Sequence, residues 1–167
     1  MMRELKQEQI MLTQFDPDKG PLFKGEFTSI TVKDPAIPGH TPNLVLDPGK
    51  PFEITIDWKL QGTDVPLYLN GADATWSVEA FAESVGPGPE VRLAIGNLAK
   101  GPSVNPANYT CTLNVPANTL PEGNPFPGQP SGVYKIVCTV FLNSSVSGGF
   151  DIAGFVEGPI VRVEDPE

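Results

Sequence analysis

The amino-acid sequence predicts an all-β fold, an antiparallel sandwich or barrel of about seven strands. Short segments along the chain alternate between apolar and polar residues, which is the period of a strand with one buried and one solvated face. Turns rich in glycine and proline separate these segments, and the 167 residues include 17 glycines and 19 prolines. Hydrophobic residues make up 40% of the chain, which is enough for a packed core.

The segment FEITIDWKL, from Phe52 to Leu60, shows the alternation most clearly. Every second residue is apolar, and the residues between them are glutamate, threonine, aspartate and lysine. This pattern predicts a strand with one buried face. No segment of the chain predicts a helix of any length.

The last segment, IAGFVEGPIVRVED, is interrupted by Gly158 and Pro159. Because proline cannot donate a hydrogen bond to a neighbouring strand, we expect this strand to lie at a sheet edge or to carry a bulge there.

In chain order, the predicted strands from Phe27 to Val163 are FTSITVKDP continued by PNLVLDPGKP, then FEITIDWKL, ATWSVEAFAES, EVRLAIGNLA, YTCTLNVP, SGVYKIVCTVFLN and IAGFVEGPIVRVED.

The first part of the chain differs from the rest, so residues 1–25 are interpreted as an N-terminal extension and residues 26–167 as the sandwich domain. Within the extension, Met2, Leu5 and Gln9 form a poor helical stripe, and QIMLTQF could equally be a short strand. The segment DPDKGP then turns the chain. The stretch MMRELKQEQIMLTQFD has charges where an export signal has its apolar region. We therefore expect a cytoplasmic protein.

Two features resemble an immunoglobulin-like or fibronectin type III-like β-sandwich. Trp76 lies early in the third strand, and Gly132, Val133 and Tyr134 begin the sixth. The resemblance covers about 27–163 and implies a core tryptophan and a tyrosine corner. It concerns the fold alone, since such sandwiches carry many unrelated functions.

The cysteines depart from the immunoglobulin pattern. Its disulfide joins the second and sixth strands, but the second strand here has Ile54 and Ile56 at the inward positions. Cys111 instead lies in the fifth strand and Cys138 in the sixth, both at inward positions of the alternation. In a reducing compartment we expect two reduced core thiols rather than a disulfide.

The net charge of −9 argues against nucleic acid and anionic membranes as partners, and no cluster of basic residues offsets it. No stretch approaches the roughly 20 apolar residues that span a bilayer. We expect another protein, or a second copy of this chain, as the partner, so a homo-oligomer is one of the expected forms.

Catalytic and cofactor motifs are missing from the sequence. The only histidine, His40, lies in the turn IPGHTPN, where a solvent-facing loop residue is expected. There is no GxGxxG, P-loop or HExxH motif. We expect a non-enzymatic protein without cofactor or metal, although Asp64, Asp73 and Asp151 leave a loop calcium site open.

The resemblance implies that three loops meet at one end of the sandwich: about 61–73, about 96–108, and the connection between the last two strands. These loops contain aromatic and small polar residues of the kind that paratopes use. We therefore expect a binding or protein-interaction module, with Tyr68 and Phe150 as exposed anchors. The predicted binding residues are Tyr68, Asn70, Asp73, Asn97, Asn143, Ser145, Phe150 and Asp151.

An alternative function is a structural or assembly subunit that pairs through an edge strand or through the N-terminal arm. The opposite end of the sandwich carries the proline-rich segment VPANTLPEGNPFPGQPSG. Its Phe126 is expected to cap the core, or else to anchor a partner.

Overall fold

The computed structural model describes residues 12–36, 43–147 and 149–166, which form nine strands and one short helix. The all-β prediction is confirmed, but the two parts of the first predicted strand form separate strands, Lys24–Lys33 and Val45–Leu46, in different sheets. The elements are β1 Thr13–Asp16, β2 Lys24–Lys33, β3 Val45–Leu46, β4 Phe52–Gln61, α1 Val65–Asn70, β5 Thr75–Ser84, β6 Val91–Ala99, β7 Ala107–Val115, β8 Val133–Leu142 and β9 Ile152–Val163.

The strands form two sheets that pack into a sandwich. The large sheet has the order β1-β9-β8-β5-β6, and β3 also pairs with β9, in parallel. The small sheet has the order β2-β4-β7, and all its pairings are antiparallel. The core lies between them, because the apolar positions of each alternating strand face the other sheet.

Three aromatic rings form the centre of this core. Trp58 on β4 and Trp76 on β5 are 1% and 0% exposed, and their ring centroids lie 5.4 Å apart. Tyr109 on β7 packs on both, with centroids 5.3 and 5.2 Å away. Edge-to-face and stacked rings at these distances add to the stabilisation from burial alone.

A bulge in β9 accommodates its proline, which was one of the two arrangements expected from the sequence. Lys135 pairs with Ile160 and Val137 pairs with Glu157, so β9 carries one extra residue in this interval, which contains Pro159. The outer side of β9 pairs with β1 at 153–156 and with β3 at 162–163. Pro159 falls between these two pairings, where no neighbouring strand needs its missing N–H.

The described part of the N-terminal segment contains a strand, β1, which joins the two sheets along one side. Phe15 is 7% exposed and packs on Phe27 of β2, with ring centroids 4.8 Å apart. A Cβ atom added to Gly25 or to Gly154 would overlap the Phe15 ring. Both positions therefore require glycine. The predicted boundary between residues 25 and 26 falls inside β2.

Cys111 and Cys138 are buried free thiols on β7 and β8, in opposite sheets, as the alternation predicted. The Tyr134 hydroxyl donates a hydrogen bond to the Pro121 carbonyl oxygen at 2.9 Å, which holds the connection before β8 against the sandwich. Among the described residues, no helix has the length and apolar character needed to cross a bilayer. His40 lies outside the described residues.

Candidate functional site

Three connections meet at one end of the sandwich: 62–74 between β4 and β5, 100–106 between β6 and β7, and 143–151 between β8 and β9. Hydrogen bonds donated by main-chain N–H groups join them. The Asp73 N–H donates to the Asn143 carbonyl at 2.8 Å, and the Ser145 N–H donates to the Gly71 carbonyl at 2.8 Å. The Gly62 N–H donates to the side-chain oxygen of Asn105 at 2.9 Å. We call this surface the loop end.

The helix α1 lies within the first of these connections, where a loop was expected. Val65, Tyr68 and Leu69 are its buried residues, and their spacing of three and four places them on one face of a helix. Pro66 in the first turn is compatible with this start, because the first N–H groups of a helix have no internal partner. Six residues are too few for the periodicity to predict a helix from sequence.

Lys100 fixes the carboxyl end of α1. Its ammonium donates to the carbonyl oxygens of Leu69 at 2.6 Å and Ala72 at 2.9 Å. Leu69 belongs to the last turn of α1 and Ala72 follows its end, where carbonyl groups carry partial negative charge, so a cation stabilises them. Since Lys100 comes from the connection after β6, it also joins two of the three loops.

We predict that Lys100→Met destabilises the protein by about 1–3 kcal/mol, because the apolar stem remains while two carbonyls lose a charged donor. Urea unfolding measures the change. Lys50→Met is the matched control, since the Lys50 side chain is 51% exposed and its ammonium lies 4.0 Å from the Asp47 carboxylate, so the attraction between them contributes little to stability. Equal unfolding midpoints for the two variants would contradict this role of Lys100.

An apolar pocket of about 410 Å³ opens on the loop end. Its exposed apolar members are Leu67, Val146 and Phe150, which are 70%, 56% and 64% exposed. Leu67 comes from α1, and the other two come from the connection between β8 and β9. The other residues that line the pocket are Tyr68, Asn70, Gly71, Ser144 and Gly149.

Phe150 is held in place although it is exposed. Its ring centroid lies 5.3 Å from that of Tyr68, which in turn packs on Phe23 at 4.7 Å. The Lys19 ammonium lies 5.2 Å from the centroids of both Tyr68 and Phe150, within the range of cation–π attraction. The pocket therefore has one wall built on the core.

The structure places two of the predicted anchors differently from each other. Phe150 is exposed, as expected, but Tyr68 is only 6% exposed, because α1 turns it toward Phe23 and the core. The expectation of an exposed Tyr68 is wrong. Leu67, the residue before it, takes the exposed position.

The polar residues predicted for the site are also divided. Asn70 lines the pocket, and the Ser145 hydroxyl donates to the Gly71 carbonyl at 3.0 Å. Asp73 and Asn143 are exposed beside it. Asn97, however, belongs to β6 and pairs with Ser77, so it lies on the sheet rather than in a loop. The reason is that β6 extends to Ala99, beyond the predicted start of the loop.

The calcium alternative gains no support in the described part of the chain, where no three acidic, histidine or cysteine side chains are grouped to hold a metal ion. The Asp151 carboxylate instead accepts a hydrogen bond from the Ser144 N–H at 2.8 Å and orders the loop. At the opposite end, Phe126 is 70% exposed, so the expectation that it caps the core is wrong. Leu120, which is 4% exposed, packs there instead.

Sequence reasoning missed Leu67, Val146, Lys19 and Lys100. The segment VPLYL contains the signal for Leu67, but only the helix shows which of its apolar residues points outward. No protein-family model matches this chain, and no curated protein sequence matches it.

Proposed function

We propose that the protein is a non-enzymatic binding module that holds another protein at the loop end. The observation that carries the proposal is the convergence of Leu67, Val146 and Phe150, all exposed, on one pocket. Binding energy at interfaces concentrates in a few apolar or aromatic anchors. Hydrogen bonds between the loops reduce the conformational entropy lost on binding, because the loops are already ordered.

We further propose that the sandwich is of the immunoglobulin-like or fibronectin type III-like kind. The grouping of β2, β4 and β7 against β9, β8, β5 and β6 supports this, as does the hydrogen bond from Tyr134 to Pro121. The fourth predicted strand, β6, pairs with β5 in the large sheet, which favours the fibronectin type III-like form. Two free thiols suit a reducing compartment, which supports a cytoplasmic location.

The test replaces Leu67 or Phe150 by serine and measures the affinity for a protein that co-purifies with the wild type. We expect each substitution to weaken binding about tenfold, because it removes an apolar anchor. The melting temperature should change little, since both side chains are exposed. Phe126→Ser is the matched control: it removes an aromatic ring that is 70% exposed at the opposite end.

Two outcomes contradict the loop-end proposal. One is a partner that binds the Leu67→Ser and Phe150→Ser proteins as tightly as the wild type. The other is an equal loss of binding with Phe126→Ser, which would indicate a general effect of removing surface apolar groups.

The second candidate function is an assembly subunit, and the free edge of β7 favours it over the N-terminal arm. Among the residues that the structure describes, β7 pairs only with β4, whereas β1 pairs with β9 of its own chain. A sheet edge without a partner offers unpaired main-chain groups to another strand.

A further inference from the structure

The edge of the small sheet at β7 lacks the features that usually protect an exposed edge. Its nine residues, ANYTCTLNV, contain no charged side chain and no proline. Natural edge strands are commonly protected by charges, prolines or bulges, which prevent pairing with other chains. β7 has none of these along its length, and its pairing with β4 runs without a register shift.

The other edges of the described sheets are shorter or better protected. β1 has four residues and ends at Asp16, and β3 has two residues. β2 carries Lys24, Glu26 and Lys33, and its pairing with β4 is shifted between Phe27 and Ser29. β6 carries Arg92 beside a register shift in its pairing with β5. Among the described strands, β7 is therefore the one best suited to accept a further strand.

The sequence of β7 is complementary to itself about Cys111. In an antiparallel pairing of two copies centred on this residue, Thr110 faces Thr112 and Asn108 faces Asn114 on the outer side. On the inner side, Tyr109 faces Leu113 and Ala107 faces Val115. Threonine pairs across strands stabilise sheets, and no like charges oppose each other in this register.

Two prolines fix the same register. Pro106 precedes β7 and Pro116 follows it, and the two lie five residues on either side of Cys111. In the centred pairing, each proline of one copy falls opposite the other proline of the second copy, just outside the paired strands. A shift by two residues would bring a proline opposite a strand residue, where a main-chain donor is lost.

We infer that β7 pairs with β7 of a second copy of this chain, about a twofold axis at Cys111, to form a continuous six-stranded sheet. This inference rests on the second candidate function and is independent of the loop end. The occupant is a second copy because the strand is its own complement. Each chain has a net charge of −9, but β7 has no charged side chain. Two copies can therefore pair there without like charges of β7 facing each other.

Alternate residue pairs would exchange two main-chain hydrogen bonds each, which gives on the order of eight to ten hydrogen bonds in total. A contact through one edge strand is small compared with a standard interface, which buries roughly 1,600 Å². We therefore expect a weak dimer whose population rises with concentration.

The first experiment measures native mass by sedimentation over a range of concentrations. The wild type should move from monomer toward dimer. Thr110→Lys with Thr112→Lys should weaken the dimer about tenfold or more, since each lysine then faces a lysine of the other copy. Thr28→Lys with Thr75→Lys is the matched control, because it adds the same charge at exposed threonines away from β7 and should dimerise like the wild type.

The second experiment does not depend on the folding of the paired lysine variant. Directly opposed residues of antiparallel strands have Cα atoms about 4.5–5.5 Å apart, so oxidation of the wild type with copper phenanthroline should link two copies through Cys111. Cys111→Ser should abolish the linked dimer, whereas the fully buried Cys138 should not replace it.

A wild type that stays monomeric and gives no linked dimer overturns the inference, and so does a dimer that the paired lysines leave unchanged. The loop-end proposal fails separately. Leu67→Ser and Phe150→Ser should leave the native mass unchanged, and the paired lysines should leave partner binding at the loop end unchanged.

Discussion

Replacing Trp76 by alanine is expected to lower the free energy of unfolding by about 3–5 kcal/mol, which approaches the whole stability of many domains. Trp76 is fully buried, and its ring lies against Trp58 and Tyr109 from the opposite sheet. Its removal leaves a cavity between two hydrogen-bonded sheets. The sheets cannot close this cavity without breaking their pairing, so the cost includes lost contacts as well as lost burial.

Urea unfolding measures this effect, and Trp76→Phe is the matched variant. The indole Nε1 of Trp76 has no hydrogen-bond partner among the described residues, so phenylalanine loses volume but no hydrogen bond. We therefore expect Trp76→Phe to lie between the wild type and Trp76→Ala. An alanine variant that unfolds at the wild-type urea concentration would show that Trp76 does not hold the two sheets together.

The strands that form the core were predictable because their burial follows strict alternation. In β4 and β7, every second residue is buried, and the sequence shows the same period. Such a pattern depends only on which side of a strand each residue occupies, and a shift by one residue would expose the whole core face. Both tryptophans occupy apolar positions of this alternation, and they are buried against each other in the core.

The short elements were not predictable in the same way. β1 is four residues long, and its position depends on Phe15 entering the space left by Gly25 and Gly154. These two glycines are distant from each other in sequence. α1 is held by Lys100 from another connection. Both depend on tertiary contacts rather than on a local period, and no single segment of the sequence contains that information.

The same limit explains the candidate site. The resemblance predicted correctly that the three loops meet, because their position follows from the order of the strands. It could not show that Tyr68 supports the pocket while Leu67 is exposed on it. That difference is one residue along a helix, or about 100° of rotation, and it reverses which side chain can contact a partner.

Finally, stability is expected to fall as the pH rises above about 9, and Cys138 is expected to be a main cause. Complete burial raises the pKa of the Cys138 thiol to about 12. A thiol in the unfolded chain has a pKa of about 8.5. Below that value both states hold the proton, and this group gives no pH dependence. Above it, the unfolded chain releases the proton and the folded chain does not, so the unfolded state is favoured.

The expected loss is about 1.4 kcal/mol for each pH unit from this group, until the pH reaches the folded pKa. Burial also raises the pKa of Tyr109, Cys111 and Tyr134, which adds to the loss of stability in the wild type.

Cys138→Ala removes one titrating group and leaves these three. Its unfolding free energy, measured with urea at several pH values, should therefore fall less steeply than that of the wild type above about pH 9. The alanine variant starts from a lower stability because it leaves a small cavity, so the slopes are compared rather than the values. Parallel curves would mean that the Cys138 thiol ionises as readily in the folded protein as in the unfolded chain, which contradicts its position between the two sheets.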